Sequence, residues 1–506
     1  MRSTRRVLPV LLTVLGVLAA AGCTGIGTPT APPGVLNIGL VQDVATWDTG
    51  QGHNGHRLVA FQPAYDTLIR REPDGTFVPM LAVGWGYTDG TNTTFSLRIR
   101  EGVTFSDGTP VDAAAVAANL EHFRTANGPQ AVQLADVAEV RTRGTDRVEI
   151  ELERPNPALE FYLSQAAGMM ASPAALGDPA LDRVPVGAGP YVMDAAASVP
   201  GDRYVFRARP DYWDPALQRF DQVVLKVLTD PTARINALVS GQIDATQISP
   251  RNIAQAENAG REIVSWDANW AGLLLFDRDG AIAPELADVR VRRAINLAFD
   301  REVTIEGVLN GYGTPTSQVF GEASTAFDPA LDDHYGYDPV RARALLAEAG
   351  YPDGFSMTMP LSTGLNEFIP FIVQPLADIG ITARIESVPA QSSQAAIGSG
   401  RYPASFFAIF QGPTWVAVEQ LLVPQTLYNP LRSRDPALDA MLDRVRAGGP
   451  DADDVARQMA RHVTEQAWFA PWARIGTTNA IDPERIAVEP QIGQVIPSIY
   501  NYRPVG

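Results

Sequence analysis

Residues 97–111 read Leu-Arg-Ile-Arg-Glu-Gly-Val-Thr-Phe-Ser-Asp-Gly-Thr-Pro-Val, and this stretch decides the fold. Polar and apolar residues alternate over 94–100, which predicts a half-buried strand. Residues 107–110 have the composition of a turn. Asp112 follows, an aspartate suited to cap the first turn of a helix. Strand, turn and capped helix in this order indicate α/β structure.

Predicted strands and helices alternate on both sides of this stretch. Residues 35–40 and 223–228 are predicted strands, and the second is apolar enough to be covered on both faces. A helix is predicted between its N-cap Asp338 and its stop signal Gly350. Residues 356–386 predict a strand, a helix and a second strand, as in a βαβ unit. No repeat of about 20–50 residues occurs, which excludes a solenoid. The alternation of predicted strands and helices indicates that the fold class is α/β.

Length and charge bound the architecture and the partners. A chain of 506 residues is too long for one hydrophobic core, so two to four domains of about 100–200 residues are expected. Hydrophobic residues make up 45% and charged residues 19%, which excludes a disordered or fibrous chain. The 40 Lys and Arg against 57 Asp and Glu give a net charge of −17, which excludes nucleic acid as the main partner.

The N-terminus has the pattern of an export signal that ends at Cys23, the only cysteine. Residues 1–22 run from basic to apolar to small residues, and the apolar run is too short for a membrane span. The approach to Cys23 resembles a bacterial lipobox, which implies a diacylated thiol anchored to the outer face of the cell membrane. Ala20 stands where that motif usually has a larger aliphatic residue, so an ordinary secretory signal with an incidental cysteine is the alternative. Residues 23–34 are a predicted tether.

Further motifs flank the 97–111 stretch in a fixed order. They are Ala64-Tyr65-Asp66-Thr67-Leu68, Leu81-Ala82 with Trp85, Gly187-Ala188-Gly189-Pro190-Tyr191, Arg209-Pro210-Asp211-Tyr212-Trp213, Arg234-Ile235-Asn236-Ala237-Leu238 with Gly241 and Ile243-Asp244, Asp288-Val289-Arg290-Val291-Arg292-Arg293-Ala294-Ile295-Asn296, and Gly350-Tyr351-Pro352-Asp353-Gly354-Phe355. Each of them alone has a structural reading as a turn, a cap or packing. Together they resemble the dipeptide- and oligopeptide-type (family 5) solute-binding lipoproteins of ABC importers.

The resemblance implies a two-lobed, periplasmic-binding-protein-like fold of the cluster C type, with an extra domain inserted into the first lobe. The expected first lobe comprises residues 35–268 and 480–506, with residues 80–183 as the inserted domain. The expected second lobe comprises residues 269–479. The chain would cross between the lobes near Asp267 to Trp270 and return near Ile475 to Ile481. A solute would bind between the lobes and favour their closure.

The same resemblance implies an extracytoplasmic, lipid-anchored monomer with two kinds of partner. One is a small-molecule or peptide-like solute, and the other is an ABC permease in the membrane. A cell-envelope interaction lipoprotein that kept the fold and lost transport is the alternative from another class, and a secreted hydrolase is a third.

Six residues are predicted to contact the solute. They are Trp47 and Asp48 after the first strand, Trp270 at the expected crossing, and Gln411, Thr414 and Trp415 after a predicted strand over 406–410. Indole faces and amide groups suit a neutral or weakly polar solute. For each tryptophan, burial in a core is the alternative.

One departure from the family bears on the ligand. In the peptide binders, the loop after the strand that matches 406–410 carries an aspartate that pairs with the peptide α-ammonium group. Here residues 411–418 contain no acidic residue, which predicts that the solute is not a peptide held by its free amino end. The alternative is that Glu419 or Asp48 supplies the missing carboxylate.

Catalytic motifs are absent, so no enzyme activity, no cofactor and no metal are predicted. The chain has neither a Gly-x-Ser-x-Gly elbow nor a Gly-x-x-x-x-Gly-Lys-Ser/Thr phosphate loop. His53 and His56 could ligate a metal, but no third histidine is near them in sequence. Residues 84–90 differ from a dinucleotide-binding loop in their last spacing and are predicted to form a hairpin turn.

Overall fold

The structure is a computed structural model that describes residues 34–505, apart from the side chain of Gln391. The predicted signal peptide, the lipidation site Cys23 and nearly all of the predicted tether lie outside the described residues.

Strands and helices alternate along the described chain, as the sequence predicts. The strands are Val35–Leu40 (β1), Ile69–Arg71 (β2), Phe77–Pro79 (β3), Ala82–Tyr87 (β4), Thr94–Ile99 (β5), Val137–Arg143 (β6), Arg147–Leu152 (β7), Tyr191–Met193 (β8), Arg203–Ala208 (β9), Gln222–Val227 (β10), Ala245–Gln247 (β11), Glu262–Val264 (β12), Asp267–Leu275 (β13), Thr314–Pro315 (β14), Phe355–Ser362 (β15), Ile381–Val388 (β16), Ala404–Phe410 (β17), Phe469–Gly476 (β18), Asn479–Ile481 (β19), Ile486–Val488 (β20) and Tyr502–Pro504 (β21).

The α-helices are short to medium in length, and several begin at an aspartate N-cap. They are Leu58–Phe61 (α1), Ala113–Thr125 (α2), Leu159–Leu163 (α3), Pro231–Val239 (α4), Ile253–Asn258 (α5), Val289–Leu297 (α6), Arg301–Leu309 (α7), Pro339–Glu348 (α8), Ile369–Asp378 (α9), Ser393–Ile397 (α10), Thr414–Leu421 (α11), Pro436–Ala447 (α12) and Ala452–Glu465 (α13). Over residues 34–505, no helix combines the length and the apolar character that a membrane span needs.

The first lobe is built on a seven-stranded mixed sheet of order β12-β19-β11-β1-β10-β9-β8. The central strand β1 is parallel to β10 and β11, and the outer pairs are antiparallel. Strand β19 comes from the C-terminal part of the chain, so the first lobe contains both ends of the described chain.

A second sheet, all antiparallel and of order β4-β5-β7-β6, forms the inserted domain. The alternating residues of β5 bury Phe95, Leu97 and Ile99 on one face. Helix α2 begins where predicted, because the Asp112 carboxylate accepts a 2.8 Å hydrogen bond from the Ala115 amide. The hairpin-turn prediction for 84–90 is wrong for most of that segment, which is strand β4.

The second lobe contains the sheet β14-β18-β13-β17 and the parallel pair β15-β16. Strand β15, helix α9 and strand β16 form the predicted βαβ unit. A separate cluster of apolar residues lies beneath this unit, and it includes Phe299, Phe406 and Trp472. The fold is therefore α/β with two lobes and an inserted domain.

The chain passes from one large sheet to the other at two adjacent segments. Strand β12 ends at Val264 in the first lobe, and β13 begins at Asp267 in the second. The return passes from Gly476 at the end of β18 to Asn479 at the start of β19. The two crossings touch, because Asp267 pairs with Gly476. The lobe boundaries at 268/269 and 479/480 and the limits 80–183 stay predictions.

Candidate functional site

A large cavity lies between the inserted domain and the second lobe. Its volume is about 1230 Å³. The inserted domain contributes Asp136, Arg154, Phe161 and Tyr162 among others, and the second lobe contributes the end of β17 and parts of α11 and α12. Residues 493–495 line it from the C-terminal part of the first lobe. A cavity with walls from both lobes is where a two-lobed fold can enclose a small molecule.

Helix α11 places an indole and a carboxylate side by side on the cavity wall. Trp415 and Glu419 are four residues apart, so they share a face of the helix. The Trp415 Nε1 donates a 3.0 Å hydrogen bond to Glu419 Oε1. From the inserted domain, the Tyr162 hydroxyl donates a 2.5 Å hydrogen bond to Glu419 Oε2. Both oxygens of this carboxylate are therefore held by donors that carry no charge.

The charge of Glu419 is poorly compensated within the protein. Burial raises the pKa of its carboxyl above the ordinary value, and the charge of Asp136 adds to that rise. The hydrogen bonds from Tyr162 and Trp415 and the charge of Arg446 only partly oppose it. Among the described residues, no arginine, lysine or histidine lies within 4.0 Å of the Glu419 carboxylate oxygens. Burial is the largest cause of the raised pKa of the Tyr162 hydroxyl, and the nearby Glu419 carboxylate raises that pKa further. A cationic or strongly donating group of a ligand would therefore find an acceptor here.

A second polar group on the cavity wall is an ion pair between the lobes. Arg446 Nη2 of α12 lies 2.9 Å from Asp136 Oδ2 of the inserted domain. The other oxygen of Asp136 lies 2.6 Å from Arg154 Nε. The Arg446 guanidinium carbon is 5.2 Å from the centre of the Trp415 ring, within the range of a cation–π contact. Asp136 is thus neutralised by its arginines, in contrast to Glu419.

Aromatic and amide side chains form much of the remaining wall. The rings of Phe161 and Phe410 face each other across the lobes with centroids 6.3 Å apart. Gln133 lines the cavity, and its Oε1 is buried without a hydrogen-bond partner among the described residues. Such a wall offers apolar faces together with one acceptor that has no partner in the described part of the chain.

Of the six predicted ligand residues, only Trp415 lines this cavity. Trp47 is 1% exposed and packs in the first-lobe core, with its ring 5.1 Å from Tyr204 and 5.6 Å from Phe206. Asp48 caps the short helix Thr49–Gln51 and lies 2.6 Å from His122 Nε2. Both side chains are engaged within the first lobe, away from the cavity lining.

The other three predicted residues pack within the second lobe and do not line the cavity. Trp270 is fully buried against Phe469, and its Nε1 has no partner among the described residues. Gln411 is 3% exposed and donates from Nε2 to the Val319 carbonyl at 3.0 Å. Thr414 Oγ1 lies 2.9 Å from the hydroxyls of Ser324 and Thr325. A ligand contact at these positions stays a prediction, and the cavity lining does not support it.

Sequence reasoning missed Tyr162, Phe161, Asp136 and Arg446. No local pattern marks them, since Phe161 and Tyr162 lie on α3, Asp136 lies just before β6 and Arg446 lies in the last turn of α12, and they meet only in the folded chain. Glu419 had a signal, because a carboxylate follows the loop in which the family places one.

A family profile described as bacterial extracellular solute-binding proteins, family 5, middle region, matches residues 76–419. The chain belongs to this family. The glutathione-binding protein GsiB of Salmonella paratyphi A is 30% identical to it over 363 residues, which are 69% of this chain and 68% of GsiB.

Solved structures of solute-binding proteins have the same fold. CtaP of Listeria monocytogenes, an ABC transporter substrate-binding protein, superposes with a TM-score of 0.80 at 19% identity, over 94% of this chain and 100% of that one. DppA of Helicobacter pylori, solved with the peptide STSA, has a TM-score of 0.75 at 18% identity, over 93% and 98% of the two chains. These identities show the fold alone.

The family membership confirms the function class expected from the sequence. This solute-binding protein captures a solute and delivers it to an ABC importer. Its family is extracytoplasmic, so capture takes place outside the cytoplasm.

Proposed function

We propose that the 1230 Å³ cavity holds the imported solute and that Glu419 binds a positively charged, hydrogen-donating group of it. The observation that carries the proposal is the Glu419 carboxylate, which lines the cavity and, among residues 34–505, accepts its two hydrogen bonds from neutral donors. A cation placed there would give the carboxylate the ion-pair partner that it lacks among the described residues.

The size of the cavity supports a solute larger than one amino acid. Pockets for drug-sized molecules have volumes of about 300–1,000 Å³, so this one has room for a short peptide or a molecule of similar size with bound water. The names of two relatives agree with that size, since GsiB is described as binding glutathione and DppA was solved with the peptide STSA. Phe161 and Trp415 would contact the apolar parts of the solute.

The main alternative is a neutral solute, as the loop 411–418 predicts by its lack of an acidic residue. In that case Glu419 would accept a hydrogen bond from a hydroxyl or amide, and Gln133 Oε1 would accept a second. The placement of Glu419 supports the cationic solute, because a neutral donor would leave the buried carboxylate without an ion-pair partner.

We further propose that the mature protein is a monomer without catalytic activity, anchored by lipid on Cys23 to the outer face of the cell membrane. The lipobox-like approach to Cys23 supports the anchor. Residues 24–34 would then separate the folded lobes from the bilayer.

Calorimetry with a library of di- to pentapeptides, used free and N-acetylated, tests the ligand class. Free peptides that bind at micromolar concentration, with at least tenfold loss on acetylation, support an ammonium at Glu419. Equal binding of both libraries contradicts the cationic group while leaving solute capture intact. Glu302→Gln, on the exposed side of α7 and outside the cavity, is the matched control for Glu419→Gln.

A further inference from the structure

The C-terminal turn of helix α12 bridges from the second lobe to the inserted domain. Arg446 Nη2 contacts Asp136 at 2.9 Å, and Arg446 Nε donates to the Pro155 carbonyl at 3.0 Å. One residue later, the Ala447 carbonyl accepts a 2.9 Å hydrogen bond from Asn92 Nδ2. Three hydrogen bonds thus join the second lobe to the inserted domain, two parts of the chain that a hinge movement can separate.

The ion pair in this bridge is shielded from water. The side chain of Asp136 is 6% exposed and that of Arg446 is 19% exposed. Asp136 is further held by Arg154 at 2.6 Å and by Asn156 Nδ2 at 3.2 Å, both from its own domain. The carboxylate is therefore fixed in place by its own domain. Arg446 is the partner that arrives from the other lobe.

Arg446, the central residue of this bridge, also contacts Trp415 on the cavity wall. The Arg446 guanidinium lies 5.2 Å from the Trp415 ring centre, and Trp415 in turn donates to Glu419. A solute that contacts Trp415 or Glu419 therefore stands against the same group of side chains that joins the lobes. An apolar cluster that runs from Leu97 in the inserted domain to Leu442 on α12 surrounds this region.

We infer that Arg446 and Asp136 form a latch that holds the second lobe against the inserted domain and so retains a solute in the cavity, with Arg446 also positioning Trp415. This inference rests on the proposed site, since it assigns to these residues the retention of the solute there. Arg446 acts through Asp136 and Trp415 and is a positioning residue. Loss of the latch would speed solute release more than it slows capture, because the ion pair forms only after the lobes meet.

Helix α12 offers a matched control two residues away. Arg444 Nη2 pairs with Asp451, and both residues belong to the second lobe and are exposed. Arg444→Gln removes the same charge from the same helix without touching the inserted domain. A merely structural role of charge on α12 would affect both variants alike.

The contact is tested first on the protein without added solute. In full-length protein with Cys23→Ser, we expect Asp136→Cys with Arg446→Cys to be joined by a short bis-maleimide. Asp136→Cys with Arg444→Cys should react at least fivefold more slowly. Equal rates for the two pairs would overturn the inference, whatever the solute is.

The effect on retention is tested with the free peptide library as the probe. We expect Arg446→Gln and Asp136→Asn each to raise the dissociation rate constant at least tenfold, and the double variant to raise it no further than the larger single effect. Arg444→Gln should match the wild type. Additive effects, or no effect of Arg446→Gln, would show that no latch exists. If wild-type protein binds no member of the library, the proposed ligand class fails, and the cross-linking result alone decides whether the lobes meet at this pair.

Discussion

Trp415 and Glu419 stand one helical turn apart on α11, and the indole Nε1 donates a 3.0 Å hydrogen bond to the carboxylate at the wall of the cavity. The indole thereby fixes the rotamer of an acid that has no cation within ion-pair distance among the described residues. Tyr162 fixes the same acid from the opposite lobe. Residues of both lobes thus donate hydrogen bonds to the Glu419 carboxylate. Because no ion pair within residues 34–505 neutralises this carboxylate, we expect it to prefer a cationic group of a ligand.

Glu419→Gln should weaken the binding of free peptides by about 10- to 100-fold, because a hydrogen bond to a charged group contributes about 1.5–3 kcal/mol. The glutamine keeps the shape and can still accept from Tyr162, so the fold should remain intact. Calorimetry on wild type, Glu419→Gln and the control Glu302→Gln measures the effect. Unchanged affinity in Glu419→Gln would contradict the proposed ammonium contact.

The affinity for free peptides should also depend on pH, through the same Glu419 carboxylate. Burial raises the pKa of the Glu419 carboxyl, so it takes up its proton at a higher pH than an exposed glutamate does. Affinity for a free peptide should therefore fall as the pH drops from 8 toward 5, since only the ionised carboxylate attracts the ammonium group. N-acetylated peptides should show no such fall, and a parallel fall in both libraries would assign the effect to another group.

Much of the scaffold follows from local patterns. Alternation predicted β5 to within one residue, and the Asp112 and Asp338 caps start α2 and α8 as expected, because a side-chain carboxylate satisfies amides of the first turn. Residues 84–90 were mistaken for a turn. Glycines at 84 and 86 suggested one, but Gly84 and Gly86 pair with Arg98 and Ser96 in the sheet. Glycine content alone does not reveal a strand partner.

The binding site was less predictable because its residues meet only after folding. Tyr162 and Glu419 are 257 positions apart, and Asp136 and Arg446 are 310 apart. Trp47 illustrates the reverse error, since a tryptophan in a promising loop is buried when Phe61, Tyr204 and Phe206 surround it. Local sequence does not distinguish an indole that faces a cavity from one that fills a core.

Asp66 should make the stability of the first lobe sensitive to pH. Its buried carboxyl accepts hydrogen bonds from Tyr212, Trp213 and Tyr500, yet burial raises its pKa from 3.8 to about 6. The folded state therefore binds more protons than the unfolded state between these values, and stability falls as the pH rises through that window. The shift corresponds to about 3 kcal/mol, at about 1.4 kcal/mol per pH unit.

Denaturant unfolding at pH 5 and pH 7.5 checks this expectation. In Asp66→Asn, which cannot ionise, the loss of stability between the two pH values should be smaller than in the wild type. An identical pH profile in the two proteins would assign the dependence elsewhere.

Cys23 lies outside the described residues, and its role is tested in the cell. Cys23→Ala should move the protein from the membrane fraction into the medium or periplasm, because the two acyl chains of a lipoprotein hold it durably at the bilayer. Thr24→Ala, which leaves the cysteine in place, is the control and should remain in the membrane fraction. Retention of Cys23→Ala would favour a secreted protein held by some other contact.

Gly476 should be intolerant of any side chain, because it lies where the two crossing segments touch. A Cβ at this position would be 2.1 Å from the Trp266 carbonyl oxygen, a contact with backbone that no rotamer change relieves. Gly476→Ala should therefore push the crossings apart and lower the free energy of unfolding by about 1–3 kcal/mol. Gly336→Ala is the control, since its Cβ would meet nothing within 4 Å. Because the two crossings join the large sheets of the two lobes, Gly476→Ala should also change how far the lobes open, as measured by small-angle X-ray scattering. Equal stability and equal scattering for the two variants would mean that the segments have room to separate and that this contact does not restrain the hinge.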